Sequence, residues 1–138
     1  MTLEQIGELV LTYAKNNSPA IFTLSGELGA GKTFFVNHVA QKMGYQKKLP
    51  SPTFTFLQEY SLDWNDKTVL VHCDFYRIEE GKEDSVLEQI GFWDYLLPKN
   101  IIFIEWPERA QKLLQNLPLQ AIHITLDLQT NERNYEIA

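Results

Sequence analysis

Cysteine and long apolar runs are the scarcest features of this 138-residue chain. Its one cysteine, Cys73, excludes an internal disulfide bond and a zinc site built from several cysteines, and it suits a reducing compartment. No apolar run approaches the ~18 residues of a membrane-spanning helix. Residues 1–10 contain Glu4 and Glu8 but no basic residue, so we expect neither a signal peptide nor a membrane partner. The expected compartment is therefore the cytoplasm.

Positive charge is also in short supply. Lysine and arginine together number 12 against 18 aspartates and glutamates, which gives a formal net charge of −6. This balance excludes a general basic surface of the kind that holds nucleic acid through its phosphates. We therefore expect no DNA partner, and we expect any RNA to be held by a partner protein.

Several sequence signatures are missing as well. No N-K-x-D motif occurs, so a guanine pocket of the GTPase kind has no support, and no L-S-G-G-Q motif occurs, which argues against a transporter ATPase. There are no repeats, low-complexity tracts or linkers, and the length suits one domain over residues 1–138. From that length we expect no separate lid or acceptor-binding domain.

What the chain does contain is a phosphate-binding loop. Residues 26–33, G-E-L-G-A-G-K-T, match the pattern G-x-x-x-x-G-K-S/T, with a β-like run before them and a helix-like run after them. Glycines let the backbone approach a polyphosphate, and the amides at the start of the following helix point towards it. We expect Lys32 to reach the β- and γ-phosphates and the Thr33 hydroxyl to bind Mg²⁺. This pattern predicts a nucleotide-triphosphate site.

The periodicity along the chain predicts an α/β fold: a P-loop NTPase-like, three-layer domain with a central sheet of mixed parallel and antiparallel strands. A capping box of Thr2 and Gln5 begins the first helix, which ends near Asn16. Its expected buried face is Ile6, Leu9, Val10, Tyr13 and Ala14. The other expected elements are a strand at 20–25, a helix from Lys32 to Gly44, a hairpin of 54–60 with 68–74, a short helix around 86–90, a helical turn at 92–97, a central strand at 100–106, a helix after Pro107, and a last hairpin of 122–128 with 135–137.

Acidic residues end two of the apolar strands. Ligands of open α/β sheets bind at the carboxyl ends of the strands. Glu105 follows four apolar residues, where many P-loop enzymes hold Mg²⁺ with an Asp, so we expect it to bind the metal through water or to orient the attacking water. Asp74 ends the strand before it and is a second candidate for the metal or for holding Thr33. The alternatives are a Glu paired with a Lys and an Asp that forms a turn.

Other residues near the expected site have two readings each. Thr53 lies where related folds place a loop that senses the γ-phosphate, but a plain turn is equally consistent with the pattern. Arg77 or Arg109 could stabilise transition-state charge or form a surface ion pair. Core packing is the favoured explanation for Trp106, and His72 could be a core histidine or a hydrogen-bonding partner of the site.

Four motifs in order, 26–33, 51–54 (S-P-T-F), 72–77 (H-C-D-F-Y-R) and 105–109 (E-W-P-E-R), resemble the TsaE (YjeE) family. The resemblance runs from the first helix to the last strand. It implies a small bacterial ATPase of tRNA threonylcarbamoyladenosine biosynthesis, weak alone and stimulated by the threonylcarbamoyl transferase subunit and that subunit's structurally similar partner. Together these proteins modify the adenosine next to the anticodon, and hydrolysis resets the complex between turnovers. The partner complex, not this chain, would carry the tRNA.

By matching position, the resemblance also implies site residues. Lys32, Glu105 and Asp74 would be catalytic, and Thr33, Glu105 and Asp74 would hold Mg²⁺. Contacts to ATP or ADP would come from Glu27, Leu28, Gly29, Ala30, Gly31, Lys32, Thr33, Phe34, Thr53, Trp106 and Arg109.

Two other functions remain open at this stage. A small-metabolite phosphotransferase would need an acceptor pocket with a general base, for which Asp74 is available. A nucleotide-gated binding module without significant hydrolysis would need only the loop.

Overall fold

The computed structural model describes residues 1–52 and 54–138. Its helices and strands, in chain order, are α1 (Leu3–Asn16), β1 (Ala20–Ser25), α2 (Lys32–Lys42), β2 (Leu57–Trp64), β3 (Lys67–Asp74), α3 (Glu83–Gln89), a 3₁₀ helix (Phe92–Tyr95), β4 (Asn100–Glu105), a second 3₁₀ helix (Pro107–Ala110), α4 (Gln111–Leu114), β5 (Leu119–Leu126) and β6 (Arg133–Ile137). None of the helices in this described part is long and apolar enough to cross a membrane.

The strands form one six-stranded sheet in the order β2-β3-β4-β1-β5-β6. The four inner strands β3, β4, β1 and β5 run parallel, and the edge strands β2 and β6 are antiparallel to their neighbours. β4 is buried along its whole length, as its apolar run predicted. The predicted α/β fold with a mixed sheet is confirmed.

Two apolar layers cover the two faces of the sheet. One face packs against α1 and α2, through residues such as Ile6, Val10 and Phe35. The other face packs against α3, the first 3₁₀ helix and α4, through Leu87, Phe92 and Leu114. This alternation directs odd and even positions of each strand to different helices. At the carboxyl ends of β1, β3 and β4, alternate side chains therefore lie on the face of the sheet that α2 covers.

Helix α1 begins as predicted but is rotated about its axis. The capping box is present, with Gln5 N donating to Thr2 Oγ1 at 3.2 Å and Thr2 N donating to Gln5 Oε1 at 2.9 Å. The expectation that Leu9 is buried is wrong, because this residue is 43% exposed. Gly7 is buried instead, facing Lys42 and His38 of α2. The small residue lets α2 approach closely, and that contact turns Leu9 towards solvent.

Both hairpins form, with shifted boundaries. The first strand begins at Leu57 rather than at residue 54, because the chain turns at Phe56, which has a positive φ of 62°, and Phe54 is 83% exposed. The turn narrows to Asn65 and Asp66, whose positive φ values suit a two-residue hairpin loop. β5 likewise ends at Leu126, two residues earlier than predicted, and Leu128 is exposed. In the middle of the chain, the helical turn at 92–97 is confirmed as the 3₁₀ helix, and the helix after Pro107 is split in two.

A buried lysine joins three connections at the amino ends of the strands. Lys67 is 3% exposed, and its Nζ donates to the carbonyl oxygens of Asn17 at 2.6 Å and Pro98 at 3.2 Å, and to Ser18 Oγ at 3.3 Å. Burial lowers the pKa of this ammonium. The lysine thus satisfies carbonyl groups that precede β1 and β4.

We expect Lys67→Met to lower the free energy of unfolding by about 1–3 kcal/mol, because buried carbonyl groups lose their donor. Urea unfolding followed by circular dichroism measures the change. Lys99→Met, which removes an exposed lysine nearby, is the control and should change stability by less than about 0.5 kcal/mol. Equal effects of the two variants would contradict this role for Lys67.

Candidate functional site

The loop between β1 and α2, residues 26–31, is shaped for close approach of its backbone to a ligand. Gly26, Gly29 and Gly31 have φ values of 151°, 80° and 105°. A Cβ atom at Gly26 would lie 2.5 Å from the carbonyl oxygen of Ile124 on β5, so no larger residue fits there. In the described part of the chain, no side chain caps the start of α2, and its first turn holds no acidic residue. The amides at that helix end therefore remain available to an anion.

Lys32 lies in the interior of this loop and is only 5% exposed. Its Nζ donates to the carbonyl oxygens of Gly26 at 2.6 Å and Glu27 at 3.0 Å. No carboxylate within residues 1–52 and 54–138 forms an ion pair with it. Burial lowers the pKa of this ammonium, and the charge of Glu105 leads the effects that oppose the shift. A buried ammonium without an adjoining counter-charge is costly, so the arrangement suits a multiply charged anion.

The carboxylate of Glu105 connects the end of β4 to the start of α2. Its Oε2 accepts a hydrogen bond from Thr33 Oγ1 at 2.8 Å and lies 2.6 Å from His72 Nε2. His72 is fully buried, and within the described residues its Nδ1 has no hydrogen-bond partner. Both open readings of His72 hold, because it is a core residue and a partner of the site.

Asp74 is aligned with Glu105 across the two parallel strands β3 and β4. Its Oδ2 accepts a hydrogen bond from Ser51 Oγ at 2.9 Å, and its Oδ1 accepts one from the Tyr76 amide at 3.0 Å. The acidic residue therefore holds the turn after β3 and also faces the same side of the sheet as Glu105. Asp74 therefore forms a turn, as one alternative predicted, and it also lines the site.

Aromatic rings close the opposite wall of the site. Trp106 has a left-handed backbone with φ of 57°, and its ring lies 4.2 Å from Lys32 Nζ and 4.8 Å from the Tyr76 ring. Arg109 stacks on the outer side of Tyr76, with Cζ 5.3 Å from that ring. Arg77 instead lies 5.0 Å from the ring of Phe54.

These groups surround a cavity of about 400 Å³. Its lining residues are Leu28, Gly29, Gly31, Lys32, Thr33, Phe34, Ser51, Asp74, Tyr76, Arg77, Glu105 and Trp106. One side of the cavity is thus basic and rich in amides, and the other side carries two carboxylates.

The chain matches one protein family over almost its whole length. Residues 2–135 match the sequence model of the family described as "Threonylcarbamoyl adenosine biosynthesis protein TsaE". The chain belongs to the TsaE family. The same family was indicated by the four sequence motifs, of which the P-loop is one.

Individual TsaE relatives agree over most of the chain. The chain is 35% identical over 134 residues to the tRNA threonylcarbamoyladenosine biosynthesis protein TsaE of Haemophilus influenzae, covering 97% of this chain and 78% of that protein. It is 34% identical over 122 residues to the protein of the same name in Bacillus subtilis, covering 88% and 68%. The crystal structure of Bacillus subtilis YdiB superimposes with a TM-score of 0.65 at 25% identity, covering 98% of this chain and 78% of that one.

The structure brings most of the predicted TsaE site residues together. Both carboxylates, Trp106 and six predicted loop residues line the cavity: Leu28, Gly29, Gly31, Lys32, Thr33 and Phe34. Glu27 and Ala30, predicted from the same loop, line a neighbouring cavity instead. Arg77 and Tyr76 line the cavity, whereas Arg109 contacts the ring of Tyr76 and is not itself a lining residue. Thr53, predicted to contact the nucleotide, lies outside the described residues. Thr53 and Arg109 therefore stay predictions as nucleotide contacts, as do the roles of the other site residues.

Arg133, at the start of β6, is a residue of this neighbourhood that was not predicted from the sequence. Its Nε donates to the carbonyl oxygen of Ala30 at 2.8 Å. The hairpin prediction put a strand near Arg133, but no local pattern indicates that this edge strand packs against the P-loop.

The donor set fits a magnesium ion bound together with a nucleotide. In the described part of the chain, no three His, Cys, Asp or Glu side chains gather into a metal-binding group. Mg²⁺ usually keeps several waters and takes one or two protein oxygens plus phosphate oxygens. The Thr33 hydroxyl, with Glu105 and Asp74 behind it, supplies such oxygens.

We expect His72→Asn to lower the free energy of unfolding by about 1–3 kcal/mol, because the buried Glu105 carboxylate loses a donor. Gln is the matched variant, since its amide nitrogen reaches the position of Nε2 whereas that of Asn reaches only the position of Nδ1. His72→Gln should therefore cost less than half as much in urea unfolding. Equal losses in both variants would show that the contact with Glu105 is not what matters.

Proposed function

We propose that this chain is a Mg²⁺-dependent ATPase, weak alone, that acts with the threonylcarbamoyl transferase subunit and its structurally similar partner in the cytoplasm. The reaction it serves is the threonylcarbamoyl modification of the adenosine next to the anticodon in tRNA. Membership of the TsaE family supports the place in this biosynthesis. The observation that carries the ATPase proposal is the hydrogen bond between the P-loop hydroxyl of Thr33 and the carboxylate of Glu105.

The P-loop side of the site holds the triphosphate. The amides at the start of α2 and the ammonium of Lys32 provide positive charge where the β- and γ-phosphates bind. When phosphate enters, it supplies the counter-charge that Lys32 lacks among the described residues, and it competes with the carbonyl groups of Gly26 and Glu27 for the ammonium. Because this positive charge is already in place, little reorganisation accompanies the reaction.

The carboxylate side positions the reacting groups. Bound Mg²⁺ would neutralise charge that develops on the phosphates. The Thr33 hydroxyl donates a hydrogen bond to Glu105. Its oxygen lone pairs then remain available to a metal, so this hydrogen bond orients the hydroxyl for metal binding. Thr33 and His72 contact the same oxygen of Glu105, Oε2. Its Oε1 has no hydrogen-bond partner among residues 1–52 and 54–138 and is available to hold a water for attack.

The rim of the cavity supports activation by a partner. Leu28 and Phe34 line it and are exposed, and the neighbouring Phe54 is more exposed still. Apolar side chains around an anion site favour a protein that covers them. Such a cover would exclude water from the phosphates and strengthen each charge interaction in the site.

The net charge supports indirect contact with tRNA. At −6, the chain repels a polyanion at long range, so the tRNA is best carried by the partner complex. In this arrangement the partner complex binds the tRNA, and the bound nucleotide of this chain controls its association with that complex.

We expect Lys32→Ala to weaken Mg-ATP binding by about 10- to 100-fold, because charge-assisted hydrogen bonds to phosphate are lost. Isothermal titration calorimetry measures the affinity directly. Lys112→Ala removes an exposed lysine of α4 and is the control, with an expected change below about twofold. Unchanged affinity in Lys32→Ala would contradict the whole proposal.

We expect slow ATP hydrolysis by the chain alone and at least about tenfold stimulation by the transferase pair. Glu105→Gln should bind Mg-ATP but lose stimulated turnover by about tenfold to a thousandfold, since the group that positions the reactants is neutralised. Phosphate release with and without the partners measures both effects. Full stimulated turnover in Glu105→Gln would contradict this role for Glu105. Absence of stimulated turnover in the unsubstituted chain would favour a binding module without significant hydrolysis, and a phosphorylated metabolite would favour a phosphotransferase.

A further inference from the structure

Arg133 reaches the P-loop from the far end of the chain. It begins β6, opposite Leu126 of β5, and its Nε donates to the Ala30 carbonyl oxygen at 2.8 Å. Its Cζ lies 5.2 Å from the ring of Phe34. A Cβ atom at Gly31 would lie 2.6 Å from Arg133 Nε. Glycine at that position therefore leaves the room that the guanidinium occupies.

Asp127 and Glu132 line the same surface pocket as Arg133, but neither forms an ion pair with its guanidinium. No carboxylate in residues 1–52 and 54–138 forms an ion pair with Arg133, although acidic residues outnumber basic ones in the chain. Its hydrogen bond to Ala30 uses Nε, and the described residues accept no hydrogen bond from its two terminal nitrogens. Arginine has five N–H donors, so the fork that recognises phosphate is still available.

Arg133 is exposed, so water solvates its charge when no anion is bound, and its guanidinium lies beside the start of α2. The amides at the start of α2 carry the positive end of the helix dipole, and a second positive group beside them is repelled. Lys32 adds a further positive charge within the same loop. Three positive groups around one loop are stabilised together by a polyphosphate.

The sheet order indicates which phosphate Arg133 faces. β1, which leads into the loop, lies between β4 on one side and β5–β6 on the other. The carboxylates of Asp74 and Glu105 end β3 and β4, so these residues would hold Mg²⁺, together with the terminal phosphates, on that side of the loop. Arg133 lies on the opposite side, beside Phe34, where the phosphate nearest the ribose would follow.

We propose that Arg133 binds the α-phosphate of the nucleotide. This inference rests on the proposed nucleotide-binding function, and it assigns a phosphate contact to the C-terminal hairpin. Phe34 supports the planar guanidinium from one side, and the Ala30 carbonyl fixes its orientation.

The test compares ligands that have and lack an α-phosphate. We expect Arg133→Ala to weaken ADP and ATP binding by about 10-fold in calorimetry. Inorganic pyrophosphate, which occupies the positions bound by Lys32 and has no ribose-linked phosphate, should displace a fluorescent ADP analogue from the variant with an inhibition constant changed by less than about twofold. Lys112→Ala is the charge-matched control, and thermal unfolding checks that Arg133→Ala folds normally.

Each other outcome overturns the inference. Unchanged ADP affinity in Arg133→Ala, with normal binding by the unsubstituted chain, would overturn this inference alone. A parallel loss of ADP and pyrophosphate binding, or a lowered melting temperature that accounts for the loss, would show that Arg133 only braces the loop. Failure of the unsubstituted chain to bind any nucleotide would overturn the proposed function as well.

Discussion

The hydrogen bond between Thr33 and Glu105 is the constraint on which the rest of the site depends. It joins the first turn of α2 to the carboxyl end of β4, two elements that come from distant parts of the chain and lie on one face of the sheet. A carboxylate in this buried position needs donors, and it has them in Thr33 and His72. The order of the central strands, β3-β4-β1, is what lets all three side chains converge.

The same convergence sets the electrostatic character of the site. The loop concentrates a buried ammonium and open amides, while the neighbouring strand ends carry carboxylates that do not pair directly with that ammonium. Charges of opposite sign are therefore held apart across a small cavity. Such a separation costs free energy in the isolated chain, and a metal-bound polyphosphate, negative on one side and positive on the other, would relieve it.

Local patterns in the sequence were sufficient for much of this arrangement. The loop motif, the apolar run of β4 and the acidic residues at the strand ends each depend on a few adjacent positions, and the structure places them around one cavity. Features that depend on packing between distant elements were not predictable in the same way. Leu9 is exposed because Gly7 lets α2 approach, and Phe54 is exposed because the chain turns at Phe56 before β2 begins. Arg133 reaches Ala30 across 103 residues of sequence, for which no periodicity gives a sign.

The contact between Trp106 and Lys32 has an optical consequence. The indole lies 4.2 Å from an ammonium whose hydrogen bonds, among the described residues, go to carbonyl groups of the loop. When the ammonium shifts towards a ligand, the electric field at the ring changes, and the emission of this tryptophan changes with it. Trp64 ends β2, Trp93 lies in the first 3₁₀ helix, and in the described part of the chain the Trp106 ring is the one that contacts Lys32. Trp106 is therefore the tryptophan placed to report by fluorescence whether the loop is filled.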